Sequence, residues 1–212
     1  WMGMVPVIPL FMLKSQLAEH NNNGNLSFDL QWRALHGVRL YGEFLIDDLS
    51  EPTSLFNDFW KNKWAVTLGA HLARELGAVS VGTLGEWTRI EPWVYTHYVA
   101  NTAQAVHHGV PLGDPLGPDA MAITWRNYLK HGNVLYSITS DWNWKGIEEG
   151  SSLEDTRDSK DRSRKEFLRG IDASEWSVSP EVIWSGEMVG VLARVKWGRS
   201  TQEALLRLSV GF

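Results

Sequence analysis

The chain has 212 residues, with 20 Lys and Arg against 25 Asp and Glu and a formal charge of -5, which excludes the basic excess that a nucleic-acid-backbone binder carries. A hydrophobic fraction of 43% and a charged fraction of 21% exclude disorder as a description of the whole chain. The absence of Cys excludes disulfides, Cys-ligated zinc, iron–sulfur clusters and thiol nucleophiles.

In chain order, the apolar run over residues 1–13 is broken by Pro6 and Pro9. It falls short of the roughly 20 residues that a membrane-spanning helix needs. It also lacks the basic start and small-residue cleavage site of a signal peptide. Beginning at Trp1, the chain reads as a fragment, with residues 1–25 as a loop or the end of a preceding part and residues 26–212 as the strand-bearing domain.

About eight segments then show apolar and polar residues alternating over roughly 9 to 11 positions, the length of a tilted bilayer-crossing strand. Leu26, Phe28, Leu30, Trp32 and Ala34 form one row against Ser27, Asp29, Gln31 and Arg33. Across a turn at His36 and Gly37, Val38, Leu40, Gly42, Phe44 and Ile46 oppose Arg39, Tyr41, Glu43 and Asp47, which predicts a hairpin. Trp64 to Leu72 and Val79 to Trp87 repeat the pattern, Met121 to Leu129 does so more weakly, and Val134 to Lys145 and Val189 to Trp197 follow. The last segment alternates through Ala204, Leu206, Leu208 and Val210 to the terminal Phe212, and so resembles the insertion signal of outer-membrane β-barrels. Loops are expected at 51–63, as a short amphipathic helix or a wide loop, at 91–120, and at 146–180, whose charged centre predicts a solvated segment.

Period-two alternation fits either a soluble sheet over a core or a barrel wall with lipid on one side and a wet lumen on the other. Trp32, Trp64, Trp87, Trp142 and Trp197 fall on the apolar rows near strand ends, as the aromatic girdles of a barrel require. Arg39, Glu43, Asp47, Arg194 and Arg207 fall on the polar rows and are expected as lumen charges, the carboxylates pairing with Arg33, Arg39 or neighbours in the barrel wall. The fold expected is therefore all-β: an antiparallel, up-and-down transmembrane β-barrel, or the carboxy-terminal half of a larger one.

The run Leu40-Tyr41-Gly42-Glu43-Phe44-Leu45-Ile46-Asp47-Asp48, the segment Asn62-Lys63-Trp64-Ala65-Val66-Thr67-Leu68-Gly69, and above all Gly109-Val110-Pro111-Leu112-Gly113-Asp114-Pro115-Leu116-Gly117-Pro118-Asp119-Ala120 resemble the capsule assembly protein Wzi family. The resemblance implies an outer-membrane barrel that binds surface polysaccharide at the cell exterior and helps to anchor the capsule. It covers residues from about Asn21 to Phe212 and corresponds to the carboxy-terminal part of the larger family barrel. The implied partners are a surface polysaccharide, outer-membrane lipid and, during insertion, the barrel assembly machinery.

Polysaccharide recognition needs flat rings and fixed hydrogen-bonding groups. The uncharged stretch with Trp93, Tyr95, His97, Tyr98, Asn101, His107 and His108 supplies both, and Arg126 is a further candidate on a polar row. The competing reading packs those rings into the lumen. No catalytic residue is expected: a GxSxG elbow, GxGxxG and Walker patterns are absent, and Glu43 with Asp47 and Asp48 fits lumen charges better than a glycosidase pair. His107 and His108 near Asp114 fit a structural loop better than a metal site, and no cofactor is expected. The competing functions are a general porin or substrate channel and a lipid-modifying enzyme.

Overall fold

The fold comes from a computed structural model, which describes residues 25–49, 55–96, 106–107, 110–111, 113–157, 163–171, 174–186 and 189–210. The strands are β1 (Leu26–Leu35), β2 (Val38–Asp48), β3 (Lys63–Leu76), β4 (Val79–Ile90), β5 (Val106–His107), β6 (Val110–Pro111), β7 (Ala120–His131), β8 (Val134–Lys145), β9 (Glu175–Ser185), β10 (Val189–Gly198) and β11 (Gln202–Val210). Nine of them form one antiparallel sheet in the order β1-β2-β3-β4-β7-β8-β9-β10-β11, while β5 and β6 make a separate two-stranded hairpin. The molecule is thus all-β and up-and-down, with β1 and β11 as unjoined edges. Among the described residues no helix is long and apolar enough to cross a membrane.

Long and short connections alternate along the meander. Residues 36–37, 77–78 and 132–133 turn tightly at one end of the sheet, which we call the turn end, and there Gly186 also donates to the Val189 carbonyl at 2.8 Å. The connections 49–62, 91–119 and 146–174 lie at the other, the loop end, with the short 199–201 beside them. A two-residue hairpin that keeps the strand twist needs positive φ. Gly37 supplies it at φ 75°, and its carbonyl accepts from the Ala73 N–H of β3 at 2.7 Å, locking the hairpin to its neighbour.

The sheet has nine long strands rather than the eight that alternation predicts. The additional one is β9, which takes the last part of the expected 146–180 loop into the sheet. Pro180 hides it, because a proline inside an apolar run argues against a central strand. Here Pro180 pairs with Ile138 of β8, while the register with β10 runs from Arg194↔Glu181 to Trp197↔Val178, so pairing lapses at Ser179 and Pro180, beside the missing N–H. Of the expected 51–63 element, the described residues form turns and a bridge from Phe59 to Arg164, hence a wide loop and not a helix. Phe212 lies outside the described residues.

Register carries one apolar face across all nine long strands. Phe28 faces Phe44, then Val66, and Leu68 leads through Trp87, Ile123 and Trp142 to Trp176. Over most of its extent this face is bare: Leu30 is 73% exposed and Leu208 is 68% exposed, with Trp125, Ile138 and Trp184 between them also exposed, and only at the loop end does Phe56, among the described residues, pack against Phe44 and Trp64. The buried apolar cluster lies instead on the other face, at the loop end. There Leu45, Ala65, Ile90 and Ala120 stand side by side in register, and Val94, Tyr95, Leu116 and Leu153 pack down onto them. The loops therefore fold inward over the rim of the polar face.

Candidate functional site

A β-bulge starts the loop cap. The β2–β3 register passes from Ile46↔Trp64 to Asp48↔Lys63, so Asp47 is the extra residue, and a bulge re-aims its side chain. The buried Asp47 carboxylate accepts the Tyr95 N–H at 2.8 Å. Around it the chain makes a tight turn in which Trp93 and Tyr95 both take left-handed backbone, at φ 71° and 67°. That conformation costs an L-residue about 1 kcal/mol or more, and burial of two large rings offsets it.

Trp93 is 1% exposed and Tyr95 is 8% exposed. The Trp93 ring meets Trp60 edge-on at 5.7 Å, carries the Arg157 guanidinium at 4.9 Å, and rests against Gly150, where an added Cβ would come within 2.6 Å of its Nε1. The Tyr95 ring fills the space a Gly113 side chain would need, and its hydroxyl accepts from the Asp114 N–H at 3.3 Å. Burial raises the Tyr95 pKa above its ordinary value. These rings, expected to stack on sugar, are instead inner packing of the cap: their faces are taken by protein.

Ion pairs and backbone bonds bolt the remaining loops to that turn. Glu91 receives Lys165 at 2.9 Å and Arg89 at 2.7 Å, and the Lys165 ammonium also donates to the Asn62 carbonyl. Burial pushes the Lys165 pKa down. Asp119, with its backbone at φ 54°, donates its N–H to the Glu91 carbonyl at 3.2 Å, and its carboxylate accepts the Leu168 N–H at 2.6 Å. Burial pushes its pKa up to about 6. Within the 109–120 stretch, the Asp114 carboxylate accepts the Leu116 N–H at 2.8 Å and its carbonyl accepts from Gly117 at 2.9 Å, closing a turn. The described part of that motif thus shapes the cap.

Below the cap, the polar face is a hydrogen-bonded lattice that crosses strands. Tyr41 of β2 lies over Gly69 of β3 and donates to Glu86 of β4 at 2.5 Å. Tyr128 of β7 lies over Gly82 of β4 and meets His71 of β3 at 2.8 Å. Both glycines leave room for the ring, since an added Cβ would sit 2.0 Å from the Tyr41 Cζ and 2.2 Å from that of Tyr128. Thr124 donates to Asp141 at 2.8 Å and Ser177 does so at 3.3 Å. Farther along, Arg126 donates to Ser137 at 3.1 Å and to Glu181 at 3.2 Å, and Arg194 approaches the other Glu181 oxygen at 3.9 Å. A groove of 560 Å³ opens at the β1–β4 side, lined by Asp29, Arg39, Tyr41, Glu43, Glu86 and Asp114 among others.

The structure separates the candidates that the sequence groups together. Trp93 and Tyr95 are in the cap, Arg126 is on the polar face, and His107 is in β5. His97, Tyr98, Asn101 and His108 lie outside the described residues. Arg39, Glu43, Arg194 and Arg207 share the polar side by register, and Asp47, outside the register at the bulge, joins the cap over that side through Tyr95. Glu43 accepts from its wall neighbour Ser27 at 3.1 Å, Arg39 lies 5.2 Å from the centre of the Tyr41 ring, and Asp47 accepts from the Tyr95 N–H of the cap. Sequence reasoning missed Glu181 because it missed β9. It also missed the burial of Asp119 and Lys165, which depends on loops meeting one another. Among the described residues, no three potential metal ligands gather. No protein-family model, curated protein or solved structure matches the chain.

Proposed function

We propose that the chain is wall of a bacterial outer-membrane β-barrel that binds or anchors surface polysaccharide in capsule assembly. The observation that carries the membrane part is the largely uncovered apolar face of a nine-stranded sheet whose opposite face is hydrogen-bonded and charged. A soluble monomer rarely exposes so large a contiguous apolar surface. The dimensions suit a bilayer as well. From Val134 to Trp144 the apolar row of β8 spans about 33 Å along the strand, which a tilt of about 40° reduces to about 25 Å, the height of a barrel's apolar band. Trp64, Trp142, Trp144, Trp176 and Trp197 mark its loop-end border, and Trp32 and Trp184 stand toward the turn end.

The polysaccharide part is supported by the resemblance of residues 40–48, 62–69 and 109–120 to the capsule assembly proteins, and by a polar face rich in hydroxyls, carboxylates and guanidinium groups. That same charged face and its groove favour a second reading, a porin or substrate channel. Purified chain in detergent separates the two when binding of extracted capsular polysaccharide is measured beside conductance in planar bilayers. Glycan binding without conductance supports the proposal, and conductance without glycan binding supports the channel. Recovery as a detergent-free soluble monomer overturns both.

A further inference from the structure

We propose that Arg126, Arg194 and Arg207 on the polar face are the contact for carboxylates of an acidic, uronate-bearing glycan. The inference rests on the polysaccharide reading and gives it a ligand class and a place. Arg126 and Arg194 share one carboxylate, that of Glu181. One negative charge between two guanidinium groups leaves a net positive charge on the open side of the sheet. Glu181 is 13% exposed, while the Arg126 and Arg194 side chains remain 39% and 46% exposed. The arrangement therefore bonds Arg126 from behind through Ser137 and Glu181, keeps Arg194 in the field of the same carboxylate, and leaves both guanidinium side chains partly exposed. A planar, pre-ordered guanidinium is matched by a carboxylate, which it binds through two parallel bonds.

Arg207 extends the group. In the β10–β11 register, Leu192 faces Arg207 and Arg194 faces Leu205, so the two arginines are diagonal neighbours on one face, a spacing of about 7–8 Å between Cα atoms. The nearby Asp141 is occupied by Thr124 and Ser177. In the groove at the β1–β4 side carboxylates outnumber cations: Asp29, Glu43, Glu86 and Asp114 line it, with Arg39 among them. A polyanion is thereby repelled from one side of the face and drawn to the other. Two of the cap's cations are already engaged by protein: Lys165 is buried against Glu91, and Arg157, 17% exposed, is paired with Glu149 and laid on Trp93.

The test uses purified full chain in detergent, with an oligogalacturonate and a neutral malto-oligosaccharide of equal length as probes, titrated at several salt concentrations. The expected result is tighter binding of the oligogalacturonate, weakening with salt. Arg126→Gln with Arg194→Gln should lose about tenfold or more for that probe alone. Glu181→Gln, which frees both guanidinium groups, should bind at least as tightly as the unaltered chain. A merely structural cluster predicts the reverse for that last variant, so equal loss in both variants overturns the inference. So does undiminished binding by the double variant. Binding of the neutral probe without preference for the uronate sinks the inference and leaves the polysaccharide reading standing. Binding of neither probe, with bilayer conductance, removes that reading and this one with it. Circular dichroism of each variant reports whether the sheet is intact.

Discussion

At the scale of single residues, Asp119 carries the clearest consequence. Its carboxylate is held by the Leu168 N–H and buried against Gly146, in the field of Lys145 and Glu91. Burial lifts its pKa to about 6, above the unfolded value of about 3.9. The folded state therefore binds the proton more tightly than the unfolded one. The stabilisation is fully present below about pH 4 and is lost as pH rises through 6. Asp119→Asn keeps an acceptor for Leu168 and removes the titration. Measured by thermal unfolding, the unaltered protein should gain on the Asn variant as pH falls from about 7 to about 5. A difference constant across that range would refute the assignment. Burial of this aspartate is invisible to a period-two reading, which sees only that it precedes a strand.

Among elements, the cap and β9 differ in how far the sequence discloses them. Alternation in β1 to β4 is long enough, in spite of Leu45 and Leu84 on the polar rows, for those strands to be read from residue order alone. In β9 the alternation of Trp176, Val178, Val182 and Trp184 is present as well, but Pro180 and the preceding charged stretch mask it. The cap is illegible for a different reason. The fate of Trp93 and Tyr95 is decided by Asp47, 46 and 48 residues away in sequence, and by loops that reach the same rim from other strands. The Glu91–Lys165 pair joins two of those loops with both side chains nearly inaccessible. Removing one partner of such a pair costs about 3–5 kcal/mol, and Arg89, which remains on Glu91, reduces that for Lys165→Met to about 2–4 kcal/mol. The loss should fall on the cap: hydrogen exchange at the Lys165 and Leu168 amides should accelerate while exchange in β3 and β4 stays as before. Adding Glu91→Gln should recover part of the loss, and uniform acceleration through the sheet would disprove a local bolt.

For the whole molecule, the decisive property is which face is wet. Ile138 stands midway along the apolar row of β8 and Val134 stands at its turn end. If that face meets lipid, Ile138→Arg should cost about 2–4 kcal/mol in folding into bilayers and Val134→Arg about 0–1 kcal/mol. Thr139→Arg, on the polar face beside Ile138, should be nearly neutral. Refolding into vesicles across a denaturant series measures all three. A cost at Val134 equal to that at Ile138 would argue for a dry protein interface in place of a bilayer, since only lipid grades the penalty by depth.

The meander has a further property that no single strand holds. Each long strand reverses the direction of the one before, so the first and the ninth, β1 and β11, run the same way. Were these two edges to meet, the seam would be parallel, with slanted and evenly spaced bonds in place of the alternating pairs found everywhere else in the sheet. A ring that is antiparallel throughout requires an even count. Antiparallel closure of this sheet therefore takes up an odd number of further strands, whatever their source. A second copy inserted in the same sense supplies nine and leaves two parallel seams. Parity makes the two open edges selective about what pairs with them, a restraint that edge strands usually owe to charge, proline or bulges.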